Sequence, residues 1–306
     1  MPSDNPEFIE AAARERAAAL ALRWAMRLVF KPVLSPIFPI AGQRAWFKLM
    51  ARTMPVHRRV TAAAGDAGGI SGEWLRPQRA AAHGAILYLH GGAYCAGSPA
   101  THRAITSHLA QAAGLPVFAA DYRLAPEHPF PAALEDAVAA YRGLSETGAV
   151  AIAGDSAGGG LALTTALALR QRHIAPPAAL VLLSPWVNLA NNSDKAPKGE
   201  VMLSAAVLNA AARHYLAGSD DSAPLASPIH GDLRGLPPTL IQCGTDELLH
   251  DQSVRLHDAL RTAGVAARCE IMRERWHVFQ IHAGLLPGAK AAIERAGNFI
   301  RRKIPA

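Results

Sequence analysis

Short apolar runs alternate with stretches of helical spacing along most of the chain, and this alternation restricts the folds open to it. Helical spacing is clear over 131–144 and over 253–264, where Gly264 is a natural stop. Apolar strands that alternate with helices are typical of a parallel sheet covered on both faces. The sequence therefore predicts an α/β fold around a mostly parallel sheet. The strand-like runs are 86–90, 116–122, 149–154, 178–186, 237–244 and 266–272.

Two regions interrupt this alternation. Residues 5–30 are rich in Ala and Leu and predict a helix, which ends at three closely spaced prolines, and a second short helix is predicted around 42–53. Residues 190–222 hold a polar loop followed by a helical stretch, as an insertion between two strands. We therefore expect both regions to lie outside the sheet and to form a cap.

The charges and the cysteines restrict the partners and the cellular compartment that we expect for the protein. The 306 residues carry a net charge of +7, but no long Lys/Arg run, so we interpret the basic residues as a solvated surface and expect no nucleic-acid partner. Cys95, Cys243 and Cys269 are too few and too far apart for a disulfide framework or a zinc cluster. They favour a reducing, cytoplasmic location, and no histidine spacing suggests a metal.

The N-terminal region raises the question of a membrane. "MPSDNPEFIE" lacks the basic start and apolar run of a signal peptide, and Arg23, Arg27 and Lys31 interrupt the apolar segment 17–40. We therefore expect no stable membrane insertion, although an amphipathic helix over an apolar pocket or on a membrane surface stays open. Five aromatic side chains of the region either line a pocket or form the core of the cap, which is favoured: Trp24, Phe30, Phe38, Trp46 and Phe47.

The pentapeptide "GDSAG" (154–158) joins an apolar strand to a long helical pattern and matches G-x-S-x-G, the nucleophile elbow. A tight strand-to-helix turn presents the Ser156 hydroxyl above the sheet edge. Side chains at Gly154 and Gly158 would clash with the neighbouring elements. The N-terminus of the following helix favours negative charge nearby. Ser156 is thus the predicted nucleophile.

A second glycine-rich segment, "HGGA" (90–93), follows the first strong strand and is similar to the HGGG-type loop. Acyl transfer needs backbone N–H groups aimed at the carbonyl oxygen as it becomes negative. This loop and the N–H of Ala157, the residue after the nucleophile, are predicted to supply them.

The remaining partners are expected in the order Ser, acid, His. After the strand at 237–244 the chain offers Asp246, Glu247 and Asp251, and we predict Asp246 because it lies at the strand end. Asp251 is expected to cap or support the next helix. For the base we predict His277, in the loop after the last strand, over His282, which is expected at or near the C-terminal helix.

Six segments in family order resemble the hormone-sensitive-lipase-like esterases, bacterial family IV, of the α/β-hydrolase fold. They are "HGGAY", "DYRLAPEHPFPAALEDA", "GDSAGGGLA", "SPW", "GTDELLHD" and "WHVF". The resemblance implies an eight-stranded, mostly parallel sheet with helices on both faces and a helical cap. It implies a catalytic domain of 55–189 and 223–306, with cap segments 1–54 and 190–222.

The same resemblance implies a carboxylesterase without a cofactor, acting on small-molecule esters of short to medium acyl chain, and a possible homodimer through the last strand. It assigns Ser156, His277 and Asp246 to the triad and the N–H groups of Gly92, Ala93 and Ala157 to the oxyanion hole. The chain departs from the family pattern at Ala93, at Glu247 in place of proline and at Val278 in place of glycine, which leaves acyl-chain preference open.

Two other functions use the same residues. A small-molecule receptor would keep the fold without the chemistry, and it is disfavoured because all three triad residues are present. An amidase or peptidase would use the same triad on another bond, and it is disfavoured because no additional peptidase-like domain is present.

Overall fold

The computed structural model describes residues 5–81, 83–190 and 196–304. One nine-stranded sheet runs through these residues, in the order β1-β9-β8-β7-β6-β4-β5-β3-β2. Two pairs of strands are antiparallel, β2 with β3 and β3 with β5, and the other pairs in the described residues are parallel. The strands are β1 (Glu7–Ile9), β2 (Val60–Ala67), β3 (Ile70–Pro77), β4 (Ala85–Leu89), β5 (Val117–Ala120), β6 (Val150–Asp155), β7 (Leu180–Leu183), β8 (Thr239–Gly244) and β9 (Ala267–Met272).

Helices cover both faces of the sheet. They are α1 (Arg16–Ala25), α2 (Ile40–Ala51), α3 (Arg103–Ala113), α4 (Ala132–Ser145), α5 (Ala157–Gln171), α6 (Ala205–Leu216), α7 (His250–Thr262) and α8 (Pro287–Arg301). In β4, Ile86 and Tyr88 pack in one core with α3 and α8, whereas Leu87 and Leu89 pack in the other with α4, α5 and α7. This period of two buries both faces of the strand, so the predicted α/β-hydrolase architecture is confirmed.

The expected number of eight strands is wrong because of the N-terminus. Residues 7–9 form β1, which pairs in parallel with 270–272 of β9, and helix α1 begins only at Arg16. Ion pairs of 2.7 Å from Arg268 to Glu7 and from Arg273 to Glu10 hold this edge. The pairing partners lie more than 250 positions apart, so no local pattern announces them. β1 also covers part of the β9 edge through which the family resemblance suggested a dimer.

The two regions predicted to form a cap both contribute side chains to one cavity. A π-helical turn, Met26–Phe30, extends α1, and side chains from this turn, from α2 and from α6 line the same cavity as Ser156. Part of the second predicted cap segment, 191–195, lies outside the described residues. Within the described ranges, no helix has the length and apolarity needed to cross a bilayer.

Candidate active site

Ser156 lies at the junction of β6 and α5, with the backbone angles φ 53° and ψ −121°. Such a positive φ is strained for a residue with a side chain. The close approach expected at the two flanking glycines is present. A β-carbon at Gly154 would lie 2.3 Å from the carbonyl oxygen of Gly158, and one at Gly158 would lie 2.0 Å from that of Leu89. The turn is therefore held between β4 and α5 at van der Waals limits.

This close packing predicts that Gly→Ala, which usually stabilises a helix, is destabilising at position 158. In the interior of a helix, Gly→Ala ordinarily stabilises by about 1 kcal/mol. For Gly158→Ala we expect a loss of about 2–3 kcal/mol in the free energy of unfolding, because the new methyl group meets the β4 backbone, which cannot move away cheaply. Urea unfolding measures it.

The matched control is Gly264→Ala. Gly264 has φ +77°, and a β-carbon added there would meet nothing within 4 Å, so only the backbone penalty of about 1 kcal/mol applies. A Gly158→Ala protein as stable as wild type would contradict the close packing of the turn.

The loop after β9 brings His277 to the nucleophile across 121 positions of sequence. The His277 Nε2 atom lies 2.9 Å from the Ser156 Oγ atom, and both side chains are buried. The backbone N–H of Val278 donates to the Ser184 hydroxyl at 3.1 Å, which fixes the loop to the end of β7. The imidazole is thus within hydrogen-bonding reach of the hydroxyl that it would deprotonate.

The carboxylate that faces the other nitrogen of His277 belongs to Glu247. Its Oε1 lies 3.8 Å from His277 Nδ1, and neither atom has a hydrogen-bond partner in the described part of the chain. The second oxygen of Glu247 accepts from the Ser184 hydroxyl at 2.7 Å and from the Gly244 N–H at 3.1 Å. Glu247 is fully buried, so its carboxylate is fixed beside the ring.

The structure does not bring the predicted acid, Asp246, to the imidazole. Its backbone N–H donates to the Arg275 carbonyl at 2.9 Å, and its side chain turns towards the cap. There its Oδ2 accepts from Arg23 at 2.7 Å. Consecutive residues in this turn point in opposite directions, so moving one position along the chain exchanges a cap contact for an active-site contact. The structure therefore places Glu247, and not the predicted Asp246, beside the imidazole.

The charge of Glu247 acts on the base. Burial alone would lower the pKa of His277, but the Glu247 carboxylate next to Nδ1 more than offsets this, so the pKa is raised from its ordinary value. A buried imidazole with a raised pKa is a stronger proton acceptor, as a general base requires.

Comparisons with known proteins show which hydrolases this chain is similar to. The sequence model of the α/β hydrolase fold matches residues 86–281. An acetyl-hydrolase of Streptomyces hygroscopicus is 48% identical over 243 residues, which cover 76% of this chain and 80% of that protein. The crystal structure of an esterase from the bacterial hormone-sensitive lipase family shares 36% identity and a TM-score of 0.85, over 96% of this chain and 100% of that one.

The chain belongs to the bacterial hormone-sensitive lipase family of esterases. A hormone-sensitive lipase from a metagenome library gives a TM-score of 0.88 at 32% identity, over 96% of this chain and 100% of that one. The family and the enzyme class expected from the sequence are therefore confirmed.

In this member of the hormone-sensitive lipase family, two N–H groups of the glycine-rich loop and the first N–H group of α5 are available. Those of Gly92, Ala93 and Ala157 donate to no acceptor in the described residues, whereas the N–H of Gly91 donates to Asp155 Oδ1 at 3.1 Å. The loop folds back on itself, since the Gly92 carbonyl accepts from the N–H groups three and four positions later, at 3.0 and 2.9 Å. A β-carbon at Gly92, which has φ +121°, would lie 2.2 Å from a backbone oxygen.

A buried polar network beneath the loop was not found from the sequence. Asp155 Oδ1 also accepts from the Tyr88 hydroxyl at 2.6 Å, and its Oδ2 lies 3.4 Å from His102 Nε2. Burial alone would raise the pKa of Asp155, but the neighbouring His102 ring and the hydrogen bond from Tyr88 more than offset this and lower the pKa. Asp155 therefore stays ionised and anchors the glycine-rich loop through Gly91. In the sequence, the only hint of this role is the position of Asp155 directly before the serine of G-x-S-x-G.

Neither of the other candidates, His282 and Asp251, forms a hydrogen bond with Ser156 or His277 in the described residues. His282 lies in the short helix after His277, and its Nδ1 is 3.3 Å from the Phe279 carbonyl. Burial lowers the pKa of His282 to about 4, so it stays neutral. Asp251 is exposed in the first turn of α7, where a carboxylate favours the helix N-terminus.

An apolar cavity of about 180 Å³ joins the cap to these groups. Ser156 and His277 lie on its wall together with the glycine-rich loop, and Phe30, Phe38 and Phe47 line it from the cap side. The interpretation of these aromatics as core is therefore wrong for Phe38 and Phe47, whereas Phe30 both lines the cavity and packs against a buried cluster. Trp24 and Trp46 do not line the cavity, and Trp24 is exposed.

Proposed function

We propose that this esterase hydrolyses short- to medium-chain carboxylic esters through a Ser156–His277–Glu247 triad and an acyl-enzyme intermediate. The observation that supports it best is the 2.9 Å approach of His277 Nε2 to Ser156 Oγ at the wall of an apolar cavity. An ester has an apolar acyl part for the cavity and a carbonyl for the hydroxyl, and no cofactor is needed for its cleavage.

In the first half of the reaction, His277 Nε2 accepts the proton of Ser156 as Oγ forms a bond to the ester carbonyl carbon. The Glu247 carboxylate faces the protonated Nδ1 atom, which keeps the ring oriented, and it stabilises the imidazolium. The oxyanion receives hydrogen bonds from Gly92, Ala93 and Ala157, each worth about 3–4 kcal/mol by analogy with comparable donors. The tetrahedral intermediate collapses, the C–O bond to the alcohol breaks, and His277 protonates the departing alkoxide.

In the second half, water takes the place of the alcohol. His277 removes a proton from that water as the water oxygen attacks the acyl carbon. The bond from Ser156 Oγ to the acyl carbon then breaks, His277 returns the proton to Oγ, and the acid is released. We also propose that segments 1–54 and 190–222 form the cap and that 55–189 and 223–306 form the catalytic domain.

A fluorophosphonate probe tests the nucleophile directly. We expect stoichiometric labelling of Ser156 together with hydrolysis of p-nitrophenyl butyrate, because only an activated serine reacts at phosphorus. A receptor that had kept the fold without the chemistry would stay unlabelled. Faster cleavage of a matched anilide than of the ester would instead indicate an amidase.

Acyl-chain preference is predicted from the cavity. At about 180 Å³ it is smaller than drug-sized sites, so we expect kcat/KM to be highest between acetate and hexanoate and to fall at least about ten-fold by dodecanoate. Phe47→Ala removes a ring from the cap wall and is expected to move the optimum to longer chains. A series of p-nitrophenyl esters from C2 to C12 measures both.

The control for this series is Phe8→Ala. Phe8 lies in β1, is 51% exposed and does not line the cavity, so the profile of this variant is expected to match that of the wild type. An unchanged profile for Phe47→Ala would mean that the cap wall does not set chain length.

A further inference from the structure

The positive charge of the chain is concentrated in one segment. Residues 16–65 contain nine Lys and Arg residues and no Asp or Glu, and taking these nine from the 31 Lys and Arg residues leaves 22 against 24 acids. The rest of the chain is therefore slightly acidic. Among the described residues, only Arg23 and Arg44 of the nine form ion pairs, with Asp246 and Glu127. The net positive charge of the chain thus comes from this segment, and seven of its nine cations lie in the predicted cap segment 1–54.

The same segment exposes most of the large apolar side chains. Ten such side chains are exposed in the described residues, and eight of them lie between 16 and 65. Positions 20, 24 and 28 follow one another at intervals of four along α1 and its π-helical turn, so they form one stripe. The residue at 37 is 93% exposed. The eight are Leu20, Trp24, Leu28, Val29, Ile37, Phe38, Leu49 and Val56.

This surface is continuous with the entrance of the active site. Phe38 is 41% exposed on the outside and also lines the cavity that contains Ser156. The π-helical turn of α1 meets α2 through Phe30 and Phe47, whose ring centroids are 6.3 Å apart. The two helices therefore lie side by side. We call the exposed apolar residues and the unpaired cations of the helices and of the chain between and directly after them the cap face: Leu20, Trp24, Leu28, Val29, Ile37, Phe38 and Leu49 with Arg16, Arg27, Lys31, Lys48 and Arg52.

We propose that the cap face docks on an anionic lipid surface, with the cavity entrance turned towards the lipid. Exposed Trp and Leu side chains between unpaired cations are the combination that binds at a lipid interface, where the rings enter the headgroup region and the cations meet anionic headgroups. A second copy of the chain would oppose five unpaired cations with five more. A nucleic acid would match the cations but leave Leu28 and Ile37 without a partner. The proposal goes beyond the proposed function and does not depend on the triad.

Vesicle sedimentation with the full chain tests this docking. Phosphatidylcholine vesicles with and without phosphatidylglycerol are the two probes, and we expect at least about ten-fold stronger binding to the anionic vesicles. Trp24→Ser with Leu28→Ser removes part of the apolar stripe, and Arg27→Glu with Arg52→Glu reverses two exposed charges. Each double variant is expected to weaken binding at least about ten-fold while hydrolysing dissolved p-nitrophenyl acetate at the wild-type rate.

The matched control is Arg302→Glu with Lys303→Glu, which makes the same change in net charge on exposed residues at the far end of α8. This variant is expected to bind anionic vesicles within about two-fold of the wild type. Equal binding to both vesicle types, or wild-type binding by both cap-face variants, would overturn the proposal. Loss of binding in the charge variant alone would also overturn it, because that result indicates a general polyanion site. A dimer of the wild type that the apolar variant abolishes would overturn it too, because that result indicates a second copy of the chain as the partner.

Discussion

Ser156→Ala is expected to lower kcat/KM by about 10⁵-fold or more while the fold is retained. The Ser156 Oγ atom is the only hydroxyl within hydrogen-bonding distance of the imidazole of His277 in the described residues, at 2.9 Å. Alanine occupies the same backbone conformation, and the loss of one oxygen leaves the contacts of the turn with β4 in place. Hydrolysis of p-nitrophenyl butyrate measures the effect, and circular dichroism and urea unfolding check the fold.

An exposed serine gives the control for this variant. Ser145 ends α4, and its hydroxyl donates only to the Arg142 carbonyl of the same helix at 2.8 Å. Ser145→Ala should therefore turn over the ester at the wild-type rate. If Ser156→Ala kept more than about one hundredth of the wild-type rate, the assignment of the nucleophile would be wrong.

Glu247→Gln is expected to lower kcat by about 10³- to 10⁴-fold, as for loss of the acid in comparable triads. The amide keeps the size of the side chain but removes the negative charge beside His277 Nδ1, and it can present an N–H where the ring also carries one. Asp246→Asn serves as the neighbouring control. Its carboxylate pairs with Arg23, both side chains are about one quarter exposed, and we expect kcat within about ten-fold of the wild type.

A pH profile separates a role in catalysis from a role in packing. His277 must be neutral to act as base, and its raised pKa keeps the ring protonated to a higher pH than usual. Activity should therefore fall as the pH drops through that raised value, which places the acidic limb above about 6.5. Glu247→Gln should move this limb to lower pH, and Asp246→Asn should leave it in place. The opposite pattern would restore Asp246 as the acid.

Much of the site could be predicted because its signals are local. An apolar strand, a turn with glycine at 154 and 158, and a helix follow one another directly in the sequence around Ser156. The lack of room for a side chain at Gly154 and Gly158 follows from this order. The position of His277 could be predicted because the residue lies in the loop between the last strand and the last helix. The acid could not be chosen in this way, because Asp246 and Glu247 are adjacent and both follow β8.

The N-terminal segment shows the same limit. Residues 7–9 have no pattern strong enough to oppose the helical composition around them, and β1 forms because β9 offers an unpaired edge. Likewise, composition gives a net charge of +7, but only the structure shows which cations of residues 16–65 form ion pairs and which apolar side chains of that segment are exposed.

The sequence by itself determined the parallel sheet, the strained serine turn and the histidine that serves it, since these depend on short-range apolar periodicity and backbone sterics. Only the tertiary structure decided which carboxylate faces the imidazole, which cap aromatics line the cavity and how the sheet ends at β1. Each of these depends on the direction of a side chain or an edge relative to a partner distant in the chain, and residue spacing carries no record of that direction.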